Sequence, residues 1–506
     1  MVMETFPETA PTSVGNFWLA AGLAPDPADD PEADVPDASW PPESRVGGLC
    51  RVEDGLIEVD VPGELTPGTR VTVHDGESRI RPRTEVQDFT VHGNLPVKPW
   101  AVSLLDCHTI RRQGNALSPL AGGDHTHQVV RALWAVTGAY VTSATRYTGV
   151  SVSVEGLEEW AISDALEQTL ATGPADTTTI SWTSPETREV PFTAFHQTAT
   201  LACESRAQFG GADVHGGWIR ATERLALTGL TGWTLDEAVS NYVIPIQSLM
   251  TQLLGRVAHV SRLAVEADGR WLQVYGPHVD HKPAEEAATG STASLLLDSR
   301  GLSLEHVARW CSLTADLSPV VQVVAAAVSR EFVTMETEAL TMVTTAEALD
   351  RRLNRGERLF ESETLDEARE SLEAASIEPA LRERLISSLG YMHEASMPQR
   401  VLRLADSVAR AAPDCVGRAN RWKRAVVSIR NGGAHGLEAS GADDLRAGLP
   451  DAYYVTRSLR WALRVRLLQL CGVDDATINE ALADSNEYRR DRVMWTANVP
   501  TVFGPS

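Results

Sequence analysis

The sequence predicts an α+β protein, in which a β-rich N-terminal region of antiparallel strands with helical insertions precedes an all-α helical bundle. In residues 45–283, apolar and polar side chains alternate with a period of two, which is typical of strands with one buried face. In residues 303–486, apolar side chains recur at spacings of three and four, as in amphipathic helices. The change follows a stretch rich in small residues, KPAEEAATGSTAS at 282–294, which indicates a boundary between two domains.

Composition predicts how the chain is divided. Residues 1–42 contain eight acids, eight prolines and no lysine or arginine, and such a composition does not build a core of its own. We therefore expect a flexible acidic loop at 23–42, whereas Phe17 and Trp18 just before it should be buried. The predicted segments are a flexible N-terminus, a β-rich domain, a linker, a helical domain and a C-terminal tail, at residues 1–14, 15–290, 291–302, 303–486 and 487–506.

Individual strands and helices are predicted from short sequence patterns. The clearest is a hairpin at 263–276, where two alternating runs flank Asp268-Gly269. One helix interrupts the strands, because residues 235–253 place apolar side chains at alternating spacings of four and three, with a kink expected at Pro245. Further alternating runs predict strands at 57–61, 70–76, 151–156, 178–182, 198–204 and 224–229. Apolar faces at helical spacing predict helical regions at 305–332, 342–353, 401–412, 419–429 and 453–470.

Charge and hydropathy restrict the class of protein. Forty-five Lys and Arg against 68 Asp and Glu give a net charge of −23, which argues against a protein that coats nucleic acid. The first ten residues lack the basic and apolar regions of a secretory signal, and the longest apolar run, 320–328, is far shorter than the roughly 20 residues of a membrane span. Six scattered cysteines do not resemble a disulfide framework. We therefore expect a cytoplasmic protein without membrane contact.

Basic residues are concentrated in one segment, RANRWKRAVVSIRNGGAH at 418–435, which holds five bases and no acid. Residues 400–500 contain 16 Lys and Arg and 12 Asp and Glu, a charge of +4, so the rest of the chain carries −27. Arg457, Arg460 and Arg464 fall on one face of the next helix. A solvated helix face is the alternative to a nucleic-acid surface for such runs. The candidate RNA-binding residues are Arg418, Arg421, Lys423, Arg424, Arg457, Arg460 and Arg464.

A short motif, RNGGAH at 430–435, ends this basic segment. Arg430, four residues and His435 at the end of an amphipathic helix resemble the Arg-x4-6-His signature of HEPN-domain ribonucleases, and Asn431 fits the same pattern. Other segments resemble the ApeA family of bacterial anti-phage proteins, in which a β-rich N-terminal domain precedes a HEPN domain. They are GNFWLAAG at 15–22, GGL at 47–49, EVDVPGEL at 58–65, SVSVEGLEEWA at 151–161 and TTAEALDRRL at 344–353, so that the resemblance covers most of residues 15–485.

The resemblance implies roles for both domains. The β-rich domain would be a sensor or regulatory domain that answers a phage-derived trigger, and the helical bundle would be a HEPN-like RNase domain. Such a protein would cut host or viral RNA, with tRNA as a common target, and would abort the infection. HEPN nucleases dimerise so that two Arg/His pairs share one cleft, which implies a homodimer through the helical domain. Glu347 matches the first-helix acid of the family and would orient Arg430 or His435.

Elementary chemistry is consistent with this site. Metal-independent RNA cleavage needs proton transfer at the ribose 2′-hydroxyl and at the leaving 5′-oxygen, which a His side chain performs near neutral pH. It also needs charge stabilisation at the phosphate, which the guanidinium of Arg430 can supply through two hydrogen bonds. Residues five apart in a regular helix diverge by about 140°. Gly432 and Gly433, which lie between Arg430 and His435, allow the backbone to leave helical geometry there.

Alternatives to this interpretation stay open. A non-catalytic HEPN-fold adaptor or partner-binding dimer would use Arg430 and His435 structurally, and Glu347 with Arg351 would then be an ordinary surface pair. A β-domain that binds carbohydrate or peptide, with a helical dimerisation tail, would bind without cleaving. Neither class needs the Arg-Asn-x-x-x-His set with its basic helix, and this favours the nuclease.

Metal and cofactor sites are not predicted. The histidine-containing segments at 107–108, 125–127 and 278–281 lack the spacing of a recurrent zinc module. The chain has no phosphate-binding glycine loop of the GxxxxGK[ST] type and no GxSxG nucleophile motif. We expect neither a metal nor a cofactor.

Overall fold

A computed structural model divides the chain into two compact units. One unit comprises residues 1–247 and 258–293, and the other comprises 248–257 and 294–506. The first is rich in strands and the second is helical, which confirms the predicted α+β class. The structure describes residues 13–20, 45–53, 55–62, 65, 70–74, 77–81, 88–96, 101–113, 127–161, 166–169, 179–182, 186–213, 216–277, 279, 295–329, 334–435 and 442–504. The acidic loop predicted at 23–42 and residues 1–12 of the predicted N-terminus lie outside these ranges.

The strand-rich unit is built around one antiparallel sheet of thirteen strands. Their order is β13-β14-β15-β10-β16-β17-β9-β7-β6-β1-β2-β3-β8, and β11–β12 and β4–β5 form two further pairs. The strands are β1 Ser13–Leu19, β2 Val46–Glu53, β3 Leu56–Val61, β4 Arg70–His74, β5 Glu77–Arg81, β6 Phe89–Asn94, β7 Ala101–Gln113, β8 His127–Ala132, β9 Trp134–Thr137, β10 Tyr147–Val154, β11 Leu166–Thr169, β12 Thr179–Trp182, β13 Arg188–Ala194, β14 Gln197–Asp213, β15 Gly216–Trp233, β16 Val260–Ala267 and β17 Arg270–Tyr275.

Six of these strands close on themselves. Strand β7 pairs with β6 and also with β8, so that β7, β6, β1, β2, β3 and β8 form a ring. Buried positions alternate with more exposed ones along β3 and β8, and Phe17, Val59 and Leu104 are fully buried in the core of the ring. Trp18 is also buried, which confirms the predicted burial of both aromatic residues of this segment.

Two local predictions in this unit are confirmed. The predicted hairpin at 263–276 is β16–β17, in which Asp268 and Gly269 both adopt positive φ angles, of 49° and 71°, as a tight two-residue turn requires. The predicted helix at 235–253 extends from Leu235 to Leu254 and contains a π-helical turn at Val239–Val243. This irregularity directly precedes Pro245, which has no N–H to donate to the preceding turn.

The helical unit contains most of the described helices. Its core includes Trp310, Trp422, Trp461 and Trp495, all fully buried. In chain order, the helices of both units are α1 Leu157–Ala161, α2 Leu235–Ala238, α3 Ile244–Leu254, α4 Leu304–Leu317, α5 Val320–Ser329, α6 Met335–Leu353, α7 Ser362–Ala374, α8 Pro379–Leu389, α9 Met397–Val408, α10 Pro413–Val416, α11 Ala419–His435, α12 Ala442–Leu470, α13 Asp475–Asp484, α14 Asn486–Asn498 and α15 Pro500–Phe503.

The ends of the helical domain differ from the prediction. The predicted tail at 487–506 instead forms α14 and α15, because the widely spaced Tyr488 and Trp495 are buried against the bundle, with the Trp495 ring 5.6 Å from that of Phe503. These contacts were not predicted, because α14 is mainly polar and its sequence has no continuous apolar face. In the predicted linker, residues 295–302 belong to the helical unit, and residues 291–294 lie outside the described part of the chain.

Two further properties follow from burial and hydropathy. All six cysteines are free and buried, and burial raises the pKa of the Cys50, Cys311 and Cys415 thiols to about 12, so these thiols are protonated at neutral pH.

Among the described residues, no single helix is long and apolar enough to cross a membrane. Helices α4 and α5, which are bent by 112° relative to each other, are long and apolar enough only when they are taken as a pair.

Candidate functional site

Helix α11, which carries the basic segment, is held in the helical unit by one apolar face. Trp422 and Val426, one turn apart, are fully buried where α11 packs against α6, α9 and α12. The Trp422 indole Nε1 donates a hydrogen bond of 2.8 Å to the hydroxyl oxygen of Ser458 in α12. At the start of the helix, the backbone N–H of Arg418 donates to the carbonyl of Val502. Arg421 and Arg424 lie away from this face and are exposed to solvent.

The structure brings Arg430 and Glu347 together, as the resemblance implies. The Arg430 guanidinium lies 3.5 Å from a Glu347 carboxylate oxygen, and the Arg430 side chain is 45% exposed whereas that of Glu347 is 15% exposed. The carboxylate of Glu347 also forms an ion pair, at 3.1 Å, with the guanidinium of Arg351, one turn further along α6. A largely buried carboxylate thus holds an accessible guanidinium at its solvent edge. The sequence alternative of an isolated Glu347–Arg351 surface pair does not describe this arrangement.

The ion pairs continue beyond Glu347 into the protein. Arg351 lies 3.4 Å from Glu394, and Glu394 lies 3.0 Å from Arg400. Arg400 in turn pairs at 3.3 Å with Asp350, and both of these side chains are buried. Buried ion pairs need several partners to offset the loss of hydration. Alternating charges therefore connect Arg430 to the buried pair and fix the position of Glu347.

The backbone at the motif stays helical. Helix α11 continues through Gly432 and Gly433 to His435, so the departure from helical geometry that the two glycines allow is not used. Glycine permits such a departure but does not enforce it. On a continuous helix, positions 430 and 435 diverge by about 140°, whereas positions 431 and 435 lie about 40° apart. The side chain of His435 is outside the described part of the structure.

A groove of about 350 Å³ lies along α11 between Lys423 and Asn431. Its basic side chains, Lys423 and Arg424, make it suitable for an anion such as an RNA phosphate. Asn431 lies at the end of the groove toward the motif, one turn beyond Val427 and two beyond Lys423. The neutral lining was not predicted from the sequence, although the spacing of four residues between Lys423, Val427 and Asn431 places them on one helix face. The lining residues are Pro398, Lys423, Arg424, Val427, Ser428 and Asn431.

The predicted RNA-binding residues of this segment lie at the surface of α11. Arg421 and Arg424 are exposed, and Arg418 and Lys423 are partly buried. Arg418 and Arg421 each donate to the carbonyl of Thr501, at 3.2 and 2.9 Å. The bond from Arg421 uses only part of its guanidinium, since a guanidinium has five donors.

The prediction is wrong for the three arginines of α12. Arg457 donates two hydrogen bonds, of 2.7 and 2.8 Å, to Asp491. Arg460 and Arg464 are buried, where Arg460 donates to the carbonyl of Ala327 and Arg464 pairs with Glu487 at 3.4 Å. Burial lowers the pKa of Arg464 to about 10. Arg464 also donates to the backbone carbonyl of Gln252. None of the three presents an open guanidinium to RNA.

No metal centre is found in the described residues, where no three His, Cys, Asp or Glu side chains are grouped closely enough to hold an ion. Cys107 is buried, and burial raises the pKa of its thiol, while His127 pairs with Asp60 at 2.5 Å. The other candidates, at 125–126, 278 and 280–281, lie outside the described residues.

Comparison with known proteins supports the family resemblance. Residues 340–477, from within α6 to the start of α13, match the family model of the Apea-like HEPN domain. The matched segment contains Glu347, Arg430, Asn431 and His435, and the match confirms the predicted resemblance to ApeA-like HEPN proteins. No curated protein and no solved structure matches the chain. At a coarse level, the family indicates an RNase-type function in defence against phage.

Proposed function

We propose that the protein is a metal-independent endoribonuclease that cleaves RNA in the cytoplasm of a phage-infected cell and aborts the infection, with tRNA as a candidate substrate. One observation carries the proposal: an accessible guanidinium, that of Arg430, is held by the largely buried Glu347 on the same helix that lines a basic groove. The β-rich domain would sense a phage-derived trigger. This last assignment rests on the family resemblance.

Each residue of the motif has a role in this reaction. His435 would take the proton of the ribose 2′-hydroxyl or give one to the leaving 5′-oxygen. Arg430 would stabilise the charge of the pentacoordinate phosphate, and Glu347 would position Arg430. Asn431, at the end of the groove, would hydrogen-bond the substrate. The products would be a 2′,3′-cyclic phosphate and a 5′-hydroxyl end.

The divergence of Arg430 and His435 favours a site shared by two chains. On one continuous helix these positions point about 140° apart, so one α11 does not direct both at the same phosphate. A two-fold homodimer that juxtaposes two α11 helices would bring Arg430 of one chain beside His435 of the other. We therefore propose a homodimer through the helical domain as the active form.

The test is to sequence RNA ends after induced expression of the wild type and of two variants, His435→Ala and Arg430→Ala. Both variants should abolish cleavage and toxicity, and the purified wild type should cleave RNA in the presence of a chelator. Arg492→Ala is a matched control, since Arg492 is 47% exposed and pairs with one carboxylate, that of Asp414, at 3.0 Å. Full cleavage by His435→Ala, or an absolute need for Mg²⁺, would contradict the assignment.

Mixing the two inactive variants tests the shared site. In a heterodimer of Arg430→Ala and His435→Ala chains, one shared site keeps both groups and the other loses both. A mixture in equal amounts, in which half of the dimers are mixed, should therefore recover about a quarter of the wild-type activity. If each chain carried its own complete site, the mixture would stay inactive. Dimers that bind RNA without any cleavage, even in the wild type, would support the adaptor instead.

A further inference from the structure

Helices α7 and α8 form an arm, residues 359–394, whose packing is mostly with itself. No residue of α7 is buried, and its half-buried Leu365 and Leu372 lie on the side that packs against α8. The base of the arm is closed by a hydrogen bond of 2.9 Å from the backbone N–H of Leu359 to the carbonyl of His393. The arm is thus a hairpin of helices attached to the bundle at one end.

Large apolar side chains of the arm are exposed to solvent. Leu381 and Leu385 lie one turn apart on one face of α8, and Tyr391, at the base, is 78% exposed. Phe360 and Met392 beside it are also exposed. Single exposed apolar residues are ordinary, but several on one small element indicate a surface that binds a protein.

The charge of the arm indicates which protein. Helix α7 has five acids and one arginine, and the whole arm has nine acids and three arginines, a formal charge of −6. Such a surface repels RNA. Helix α11 has four bases and no acid, and its Arg421 and Arg424 are exposed. The most basic surface described in this chain is therefore complementary to the arm.

The contacts at the base hold the arm away from the α11 helix of its own chain. Arg403 donates two hydrogen bonds, of 2.5 and 2.9 Å, to Glu357 just before the arm, and Arg400 pairs at 3.0 Å with Glu394 at its end. Both arginines belong to α9, and the packing partners of α11 are α6, α9, α12 and α15. With its base fixed in this way, the arm leaves Arg421 of its own chain exposed.

We propose that the arm of one chain docks on α11 of a second copy, and that the second arm makes the same contact in return. The acids of α7 would face Arg421 and Arg424, and the exposed leucines of α8 would be covered by the partner copy. Because α11 is also the proposed RNA-binding surface, the docked arm would compete with RNA and hold the nuclease off. This regulatory consequence rests on the proposed function, whereas the docking does not.

Charge reversal in the full chain tests the docking, with molecular mass measured by sedimentation in roughly 0.1 M salt, where charges further apart than about 10 Å are screened. The wild type should be a dimer. Glu363→Lys with Glu367→Lys on the arm should raise the dimer dissociation constant about tenfold or more, since four attractive charges per dimer become repulsive. Glu480→Lys with Asp484→Lys is the matched control, because these acids are also exposed and one turn apart, but on α13.

A second charge reversal, on α11, can restore dimerisation and thereby show that the variants are folded. Arg421→Glu with Arg424→Glu should weaken the dimer in the same way. A mixture of the arm variant and the helix variant should form heterodimers of wild-type strength, because both contacts then pair opposite charges. A monomeric wild type, an arm variant that dimerises normally, or a mixture that stays monomeric would each overturn the proposal.

The apolar face and the regulatory consequence have separate readouts. Leu381→Ser with Leu385→Ser should weaken the dimer without changing its salt dependence, and unchanged dimerisation would contradict a role for this face. The arm variant should bind single-stranded RNA several-fold more tightly than the wild type. If the mass measurements agree with docking but RNA affinity is unchanged, the docking stands and RNA competition at α11 is refuted.

Discussion

Reversing Arg421 and Arg424 to Glu is expected to flatten the salt dependence of RNA binding. Both side chains are exposed on α11 and lie one turn apart, so one stretch of RNA backbone can contact both. The arginines of α12 do not contribute, because Arg460 and Arg464 are buried. With −27 outside residues 400–500, the remainder of the chain repels phosphate at long range. Phosphate contacts should therefore be concentrated on α11.

The magnitude follows from the number of contacts that are lost. For single-stranded RNA, each neutralised phosphate contributes about 0.7 to the slope of log K against log salt, so two lost contacts should flatten the slope by about 1.4. Over a fourfold rise in salt, the wild type should then lose about sevenfold more affinity than the variant.

The assay is fluorescence anisotropy of a labelled single-stranded RNA at several salt concentrations, in a His435→Ala background that prevents cleavage. The mass of each variant is recorded at the same salt, so that a change of assembly is separated from a change of phosphate contacts. Arg489→Glu with Arg490→Glu is the control, because these residues are exposed on α14 and make the same change of charge. Equal flattening by both pairs would refute α11 as the RNA surface.

The other predictions concern positioning and pH. Glu347→Gln should lower kcat by about tenfold to a hundredfold, because Arg430 loses the partner at 3.5 Å, and should have no further effect in an Arg430→Ala background. Asp414→Asn is the control, because Asp414 pairs with Arg492 at 3.0 Å on another part of the surface, and additive losses would contradict a role through Arg430. Burial lowers the pKa of His92, whose neutral Nε2 donates to the carbonyl of Val141 at 3.0 Å. Below about pH 6.5 the unfolded chain binds a proton at this histidine that the folded protein does not. Lowering the pH should therefore reduce the free energy of unfolding, by at most about 1.4 kcal/mol per pH unit. Denaturant unfolding of wild type and His92→Gln between about pH 7.5 and 5.5 checks this, and equal pH dependence would contradict it.

Local features of the fold were predictable from the sequence, because their causes lie within a few residues. The turn at Asp268-Gly269 depends on two residues that tolerate positive φ, and the helix at 235–254 depends on its own apolar spacing. The closure of the β7–β8 ring was not predictable. It requires pairing between β7 and β8, and their positions in the sheet depend on all the other strands. The alternation of apolar and polar residues in one strand does not show which strand lies beside it.

The buried arginines illustrate the same limit for charges. Arg460 and Arg464 follow the spacing of a solvated face, but their carboxylate partner Glu487 lies on α14, more than twenty residues further along the chain. A signal was present in α12 itself, since Leu459, Trp461 and their neighbours make it apolar on several sides, which is typical of a helix surrounded by protein. Spacing within one helix shows which residues share a face but not what that face contacts.

The continuous helix at the motif connects the catalytic proposal with the docking proposal. A bend at the glycines would have allowed one chain to direct Arg430 and His435 at one phosphate, whereas a straight α11 separates them. The proposed chemistry then needs a second α11, and two such basic helices repel each other when they approach. The acidic arms, one from each chain, carry the opposite charge and would offset that repulsion. The same contacts that allow the two motifs to assemble would therefore cover the helices on which RNA must bind, and the affinity of RNA for α11 would decide whether the assembled enzyme is active.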